Sequence, residues 1–172
     1  MKRIIQLGSL LGAFCVVFGV LLAFVYIITK PQIEFNAKKN LEDSLKEVLP
    51  KASLFKRLNI NSNEAFEGKT KEETVGYILL QSPKGYSGKI EMLIGIDSKS
   101  SVSRVKILTQ TETPGLGANV VSEKFLKQFI GKTVKNKLEA KKDIDAITGA
   151  TISSKAVCSG VKEALQDFSK LK

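Results

Sequence analysis

Histidine and tryptophan are absent from this 172-residue chain, and cysteine occurs only twice. Without histidine, Ser-His-Asp and Cys-His catalysis are excluded, and most zinc sites go with them. Two cysteines, Cys15 and Cys158, cannot build a disulfide-rich scaffold. Nor are they convincing redox ligands, because an iron–sulfur cluster needs several thiolates. No metal ligands and no catalytic side chains are expected. Charge is missing from a long stretch: Ile4 to Ile28 is 25 residues without one charged side chain. At about 1.5 Å per helical residue this run exceeds the roughly 30 Å hydrocarbon core of a bilayer.

A small-residue cleavage site is also missing. The start Lys2-Arg3 suits a signal peptide, but the apolar run far exceeds a signal core of about 7–15 residues. The exit reads Tyr26-Ile27-Ile28-Thr29-Lys30-Pro31, and Phe14 stands before Cys15 where a lipoprotein acceptor would need a small residue. The expectation is an uncleaved single-pass anchor over residues 1–30, with the lipid bilayer as its partner. Lys2 and Arg3 favour a cytoplasmic N-terminus, yet Lys30, Lys38 and Lys39 lie just past the other end. The charge rule leaves orientation open.

All 17 acidic residues follow that run, against 25 basic ones once Lys2 and Arg3 are set aside, a net +8. Residues 31–52 read as an amphipathic linker helix, with Leu41, Leu45, Val48 and Leu49 at helical spacing and Pro50 as its stop. Residues 53–172 read as one further domain. Strands are expected at Val75–Gln81, Lys89–Asp97 and Val102–Leu108, joined by the short turns Ser82–Gly85 and Asp97–Ser100, hence antiparallel. Ile90, Met92, Ile94 and Ile96 alternate with Glu91, Leu93, Gly95 and Asp97, which suits a sheet with one well-buried face. A helix capped by Ser122 is expected to reach Ile130 before Gly131, and a last helix to run from about Ser153 to Phe168 with Cys158 bordering its apolar face. Strands grouped centrally with helices outside them make the fold class α+β: one transmembrane helix, then a single domain with a mainly antiparallel sheet flanked by helices.

Two loops carry chemical information. The first is Thr111-Glu112-Thr113-Pro114-Gly115-Leu116-Gly117-Ala118-Asn119. Pro-Gly is a common way to turn a chain, but glycines also let a flat ligand lie close to backbone amides. The second is Asp145-Ala146-Ile147-Thr148-Gly149-Ala150-Thr151-Ile152-Ser153-Ser154, which leads into the last helix. It reads either as ordinary capping by Thr151 or Ser153 or as an anion site on the free amides of the helix start. It is not a Walker loop, since no Gly-Lys-Ser/Thr follows. Lys132, Lys135, Lys137, Lys141 and Lys142 cluster with Glu139 and Asp143. That surface suits solvent, anionic headgroups or an acidic partner. No aromatic stacking pattern accompanies the lysines, so no nucleic acid is expected.

Asp145-x-x-Thr148-Gly149-Ala150-Thr151 matches every position of the Asp-x-x-Ser/Thr-Gly-Ala-Thr motif of FMN-binding domains that a flavin transferase modifies. The Glu112-Thr113-Pro114-Gly115-Leu116-Gly117 run matches that family's second hallmark, and Gly85-Tyr86-Ser87-Gly88-Lys89-Ile90 precedes it in the family's order. With the anchor included, the chain resembles the G-subunit family of Rnf electron-transport complexes. It is also similar to the C subunit of the sodium-pumping NADH:quinone reductase, which is usually longer.

That resemblance implies a covalent FMN, held through its phosphate as a phosphoester on Thr151. It implies transferase recognition through Asp145, Thr148, Gly149, Ala150 and Thr151, with Thr148, Gly149 and Ala150 also among the cofactor-binding residues and the phosphate near the amides of Ile152, Ser153 and Ser154. Glu112, Thr113, Gly115, Leu116 and Gly117 become candidates to touch the isoalloxazine ring, although Glu112 has a competing role as an anchor for the loop. A family position just before the glutamate is often His or another polar residue, and Gln110 and Thr111 stand there. Implied partners are the other Rnf subunits, including a second flavin-bearing membrane subunit, and the flavin transferase. The implied function is electron relay within a ferredoxin:NAD oxidoreductase that drives ion export, with no turnover by this chain alone. The implied domain is extracytoplasmic, on the outer face of the cell membrane. The alternatives are a carrier of the quinone-reductase type and a non-redox anchored binding or sensor module.

Overall fold

A computed structural model describes residues 1–60, 63–71 and 73–170. The chain divides into two compact units, Met1–Glu42 and Asp43–Lys172. Helix α1, Lys2–Val48, supplies the whole of the first and enters the second. In the first unit the apolar side chains from Ile4 to Ile28 stand exposed around the helix. A helix apolar on every side with nothing packed on it needs an apolar solvent, which lipid provides. Pro31 sits inside α1 without ending it, so anchor and expected linker form one continuous helix. Pro31 removes only the N–H that would reach back to Ile27.

The second unit is built on a five-stranded antiparallel meander: β1 (Leu54–Ile60), β2 (Asn63–Lys69), β3 (Thr74–Gln81), β4 (Glu91–Asp97) and β5 (Val102–Thr109), in sheet order 1-2-3-4-5. The β1–β2 hairpin was not expected from the sequence. Its apolar residues are interspersed with charge, and β1 is an edge strand with a mostly exposed pattern. On one face Leu79, Ile94 and Val105 lie in register across β3, β4 and β5. They share a core with helix α3 (Thr151–Ser169), whose Val157, Val161, Ala164, Leu165 and Phe168 are buried.

The opposite face is also covered, which corrects the expectation of a single buried face. Leu93 and Gly95 on β4 are as buried as Met92 and Ile94. The cover is the last turn of α1. A Cβ on Gly95 would come within 2.6 Å of Val48, and one on Gly68 within 3.2 Å of Leu49. Glu47 beside them pairs with Arg104, at 3.4 Å, and with Lys106. The segment after β5 departs from expectation too. In place of one helix it holds a 3₁₀ turn (Gly117–Val121), a short α2 (Glu123–Leu126) and another 3₁₀ turn (Lys127–Phe129). Ser122 takes the N-cap backbone position without a side-chain cap bond, and Gly131 ends the segment at φ +77°.

Candidate functional site

Glu112 organises the site. It follows β5, its side chain is only 4% exposed, and its carboxylate is turned inward. Oε2 accepts the Tyr86 N–H at 3.2 Å, Oε1 accepts the Ser87 N–H at 3.0 Å, and the Ser153 hydroxyl donates to Oε2. Burial pushes this carboxyl up. The Ser153 hydroxyl and the Ser87, Tyr86 and Gly88 amides outweigh that and hold it below the usual carboxylate range. One ionised side chain therefore ties together the 85–88 turn, the glycine loop and the first turn of α3. Small residues make room for it: a Cβ on Gly117 would lie 2.8 Å from both Glu112 Oε2 and Ser153 Oγ, and one on Gly85 would lie 2.5 Å from Glu112 Oε1. The Glu112 amide donates to Gln110 Oε1 at 2.6 Å, so Gln110 serves its own loop.

Beyond this clamp the loop turns on itself, with the Leu116 and Ala118 amides donating to the Thr113 carbonyl at 3.2 and 3.1 Å. Gly115 takes φ +77°, a value that favours glycine. Thr113 and Leu116 are left facing outward.

The second loop is held by different means. The Ser154 hydroxyl accepts the Ile147 N–H at 3.0 Å and donates to the Ala150 carbonyl at 2.9 Å. The Ala150 N–H closes a turn on the Ile147 carbonyl at 3.0 Å, and Gly149 sits at φ +77°. Helix α3 then begins at Thr151, two residues earlier than expected. Its N-cap is Ala150, which has no side chain able to cap. Ser153 gives its hydroxyl to Glu112, so neither residue expected to cap does so. The Ser154 amide is committed to the Ala150 carbonyl at 3.0 Å, which removes it from the amides expected to face a phosphate. Among the described residues the Thr151, Ile152 and Ser153 amides have no backbone or side-chain acceptor.

The residues that carry those amides border a cavity of about 560 Å³ lined by Tyr86, Glu112, Thr113, Leu116, Gly117, Gly149, Ala150, Thr151, Ile152 and Ser153. Such a volume is typical of small-ligand sites. The two loops meet there: a Cβ on Gly149 would touch Leu116 Cδ2 at 3.0 Å. Gly115 and Thr148 are absent from the lining, and Asp145 and Thr148 line a different cavity. Tyr86, 68% exposed, is the lining residue that the sequence reading did not single out as a contact. Its signal was an aromatic ring set between Gly85 and Gly88 in a turn. With Leu116 and Ile152 it provides exposed apolar surface at the cavity. An organic phosphate with a flat ring suits this site, with free amides and a positive helix end at one side and slim loops and apolar side chains beside them. Cys158 lies outside it, buried on α3, where burial and then Asp143 push its thiol up to about 11. The lysine-rich turn is folded around Asp143, whose carboxylate accepts the Leu138 and Glu139 amides at 2.9 and 2.7 Å.

Residues 85–166 match the FMN-binding domain family, and residues 1–48 match the RnfG N-terminal region. The G subunit of the proton-translocating ferredoxin:NAD(+) oxidoreductase complex of Clostridium ljungdahlii is 35% identical over 158 residues, 88% of this chain and 84% of that protein. The G subunit of the Na(+)-translocating complex of Acetobacterium woodii is 34% identical over 196 residues, 99% of this chain and 94% of that one. Among solved structures, the C subunit of the Na(+)-translocating NADH-quinone reductase of Parabacteroides distasonis shares the fold, with TM-score 0.52 and 24% identity over 63% of this chain and 61% of that one.

Proposed function

The chain belongs to the G-subunit family of ion-translocating ferredoxin:NAD(+) oxidoreductase complexes, and from that premise we propose that Thr151 carries FMN as a phosphoester. It is a single-pass, membrane-anchored FMN electron carrier within such a complex, with the other subunits as partners. FMN, when bound, supplies the redox chemistry, and the protein supplies binding, orientation and electrostatics.

The observation that carries the attachment reading is the uncapped start of α3 beside Thr151. Four hydroxyls lie in the second loop and its helix start, and three are unsuited. Ser153 is buried and donates to Glu112. Ser154 is buried and engaged with Ile147 and Ala150. Thr148 lines the other cavity. Thr151 is partly exposed, lines the flavin-sized cavity, and stands beside the free amides that would receive a phosphate.

In the attachment step Thr151 Oγ1 attacks the phosphorus of a flavin dinucleotide donor supplied by the flavin transferase. The Oγ1–P bond forms, the P–O bond to the nucleotide half breaks, and the hydroxyl proton leaves with that nucleotide monophosphate. The Thr151–Ser153 amides would hold the phosphate, and Thr113, Leu116, Tyr86 and Ile152 are the lining residues that would border the ring. The domain lies on the extracytoplasmic side near a second flavin-bearing membrane protein of the complex. A covalent bond is useful there, because a dissociated flavin would be lost by dilution.

Peptide mass spectrometry of the protein from its native membrane tests this. A gain of FMN less one water on the Thr151 peptide is expected. An unmodified peptide from cells with active flavin transferase would overturn the attachment.

A further inference from the structure

Two carboxylates stand in the two loops, and the fold treats them differently. Glu112 is buried and lines the flavin-sized cavity. Asp145 is exposed and lines a separate cavity of about 350 Å³ with Lys124 and Gln128. Gln128 holds the Asp145 backbone there: Oε1 accepts its N–H at 2.7 Å, and Nε2 donates to its carbonyl at 3.3 Å. Solvent screens the charge of Asp145, whereas a buried charge is screened far less.

Among the described residues, no lysine or arginine lines the flavin-sized cavity, and Glu112 is its one charged side chain. The donors to Glu112 are the Tyr86 and Ser87 amides and the Ser153 hydroxyl, all of them neutral dipoles. They keep the carboxylate ionised without cancelling its charge. The cavity wall therefore carries a standing negative charge.

We propose that the Glu112 carboxylate is a tuning residue that holds the midpoint potential of the bound flavin low. This rests on FMN being held in this cavity through Thr151. Reduction adds two electrons from the preceding carrier of the complex and one proton from solvent, so the site gains one negative charge. A buried anion in the wall opposes that gain, and the phosphate adds a second anion. The uncapped amides of α3 are placed to offset the phosphate, whereas the Ser153 hydroxyl gives Glu112 only a dipole. Glu112 thus has an electrostatic role beside its structural one.

The test is a redox titration of the full FMN-loaded chain in detergent at neutral pH, followed by flavin absorbance. The mass of the Thr151 peptide and the thermal midpoint of each variant are read beside it. Glu112→Gln is expected to raise the reduced-to-oxidised ratio at a fixed poise about tenfold, which is about 30 mV for a two-electron couple. Glu112→Asp keeps the charge while shortening the clamp, so it should lose stability and stay near the wild-type potential. Thr113→Lys adds a cation at an exposed lining position outside the clamp and should shift the ratio in the same direction as Glu112→Gln. A folded Glu112→Gln chain at the wild-type potential would overturn the tuning role alone. So would equal shifts in Glu112→Gln and Glu112→Asp, which packing and not charge would cause. Should Glu112→Gln not fold, a Thr113→Lys chain at the wild-type potential would overturn it instead. A wild-type chain without the FMN mass on the Thr151 peptide would overturn the attachment reading and the tuning role together.

Discussion

The glycine loop and the motif loop meet at one cavity but are held from opposite sides. Residues 112–117 are fixed from within: a buried, ionised Glu112 accepts two amides and a hydroxyl, while Thr113 and Leu116 stay exposed. Residues 145–151 are fixed from without, by the Gln128 amide and the Ser154 hydroxyl, and the helix they lead into is left uncapped. A buried charge needs every partner it has, so the first loop tolerates little change. Unsatisfied amides at a helix start favour an anion, so the second loop keeps donors that its own fold does not use. One loop is closed on its own carboxylate, and the other is left with free donors.

The largest effect that tests this contrast is expected from Thr151→Ala, which should abolish covalent flavin with little change in folding. In-gel flavin fluorescence checks it, and Thr151→Ser should restore the signal because an oxygen nucleophile is retained. Glu112→Ala should do the reverse, with a stability loss of about 3 kcal/mol by denaturant unfolding as buried donors lose their acceptor. Gly117→Ala should cost about 1–3 kcal/mol, because its methyl would crowd Glu112 and Ser153 at 2.8 Å.

Acidification gives a smaller, signed effect. The Glu112 carboxyl is lowered on folding, so its stabilisation is present above the unfolded carboxylate range and is lost as pH falls through the lowered native value. Denaturant midpoints of wild type and Glu112→Gln should converge over that acid range. Ser154→Ala should give the smallest change, about 1 kcal/mol by thermal unfolding, since the Ile147 amide loses its acceptor. If Glu112→Ala were neutral while Ser154→Ala unfolded the domain, the contrast between the loops would be inverted.

Much of the fold was legible because local signals agreed. β3, β4 and β5 follow alternating apolar residues and short turns, and α3 follows its apolar face. The β1–β2 hairpin escaped because edge strands bury little and leave a weak period. The second covered face of β4 escaped because its cover, the end of α1, lies far away in sequence, and nothing local announces which glycine receives Val48. At the site, both loops were legible as motifs, and Thr151, Leu116 and Gly117 do line one cavity. Tyr86 and Gln128 escaped because each reaches its loop across a large sequence separation.

The sequence alone determined the membrane-spanning helix and the absence of histidine chemistry, because length, apolarity and residue type do not depend on tertiary contacts. It also offered a candidate acceptor, Thr151, through the family resemblance that the Asp145–Thr151 motif carries. Only the tertiary structure decided which hydroxyl is uncommitted. Ser153, Ser154 and Thr151 lie within four residues of one another, and burial, Glu112 and helix geometry separate them. Hydrogen-bond partners reached across the fold cannot be read from spacing, and here the Glu112 carboxylate decides that Ser153 is engaged.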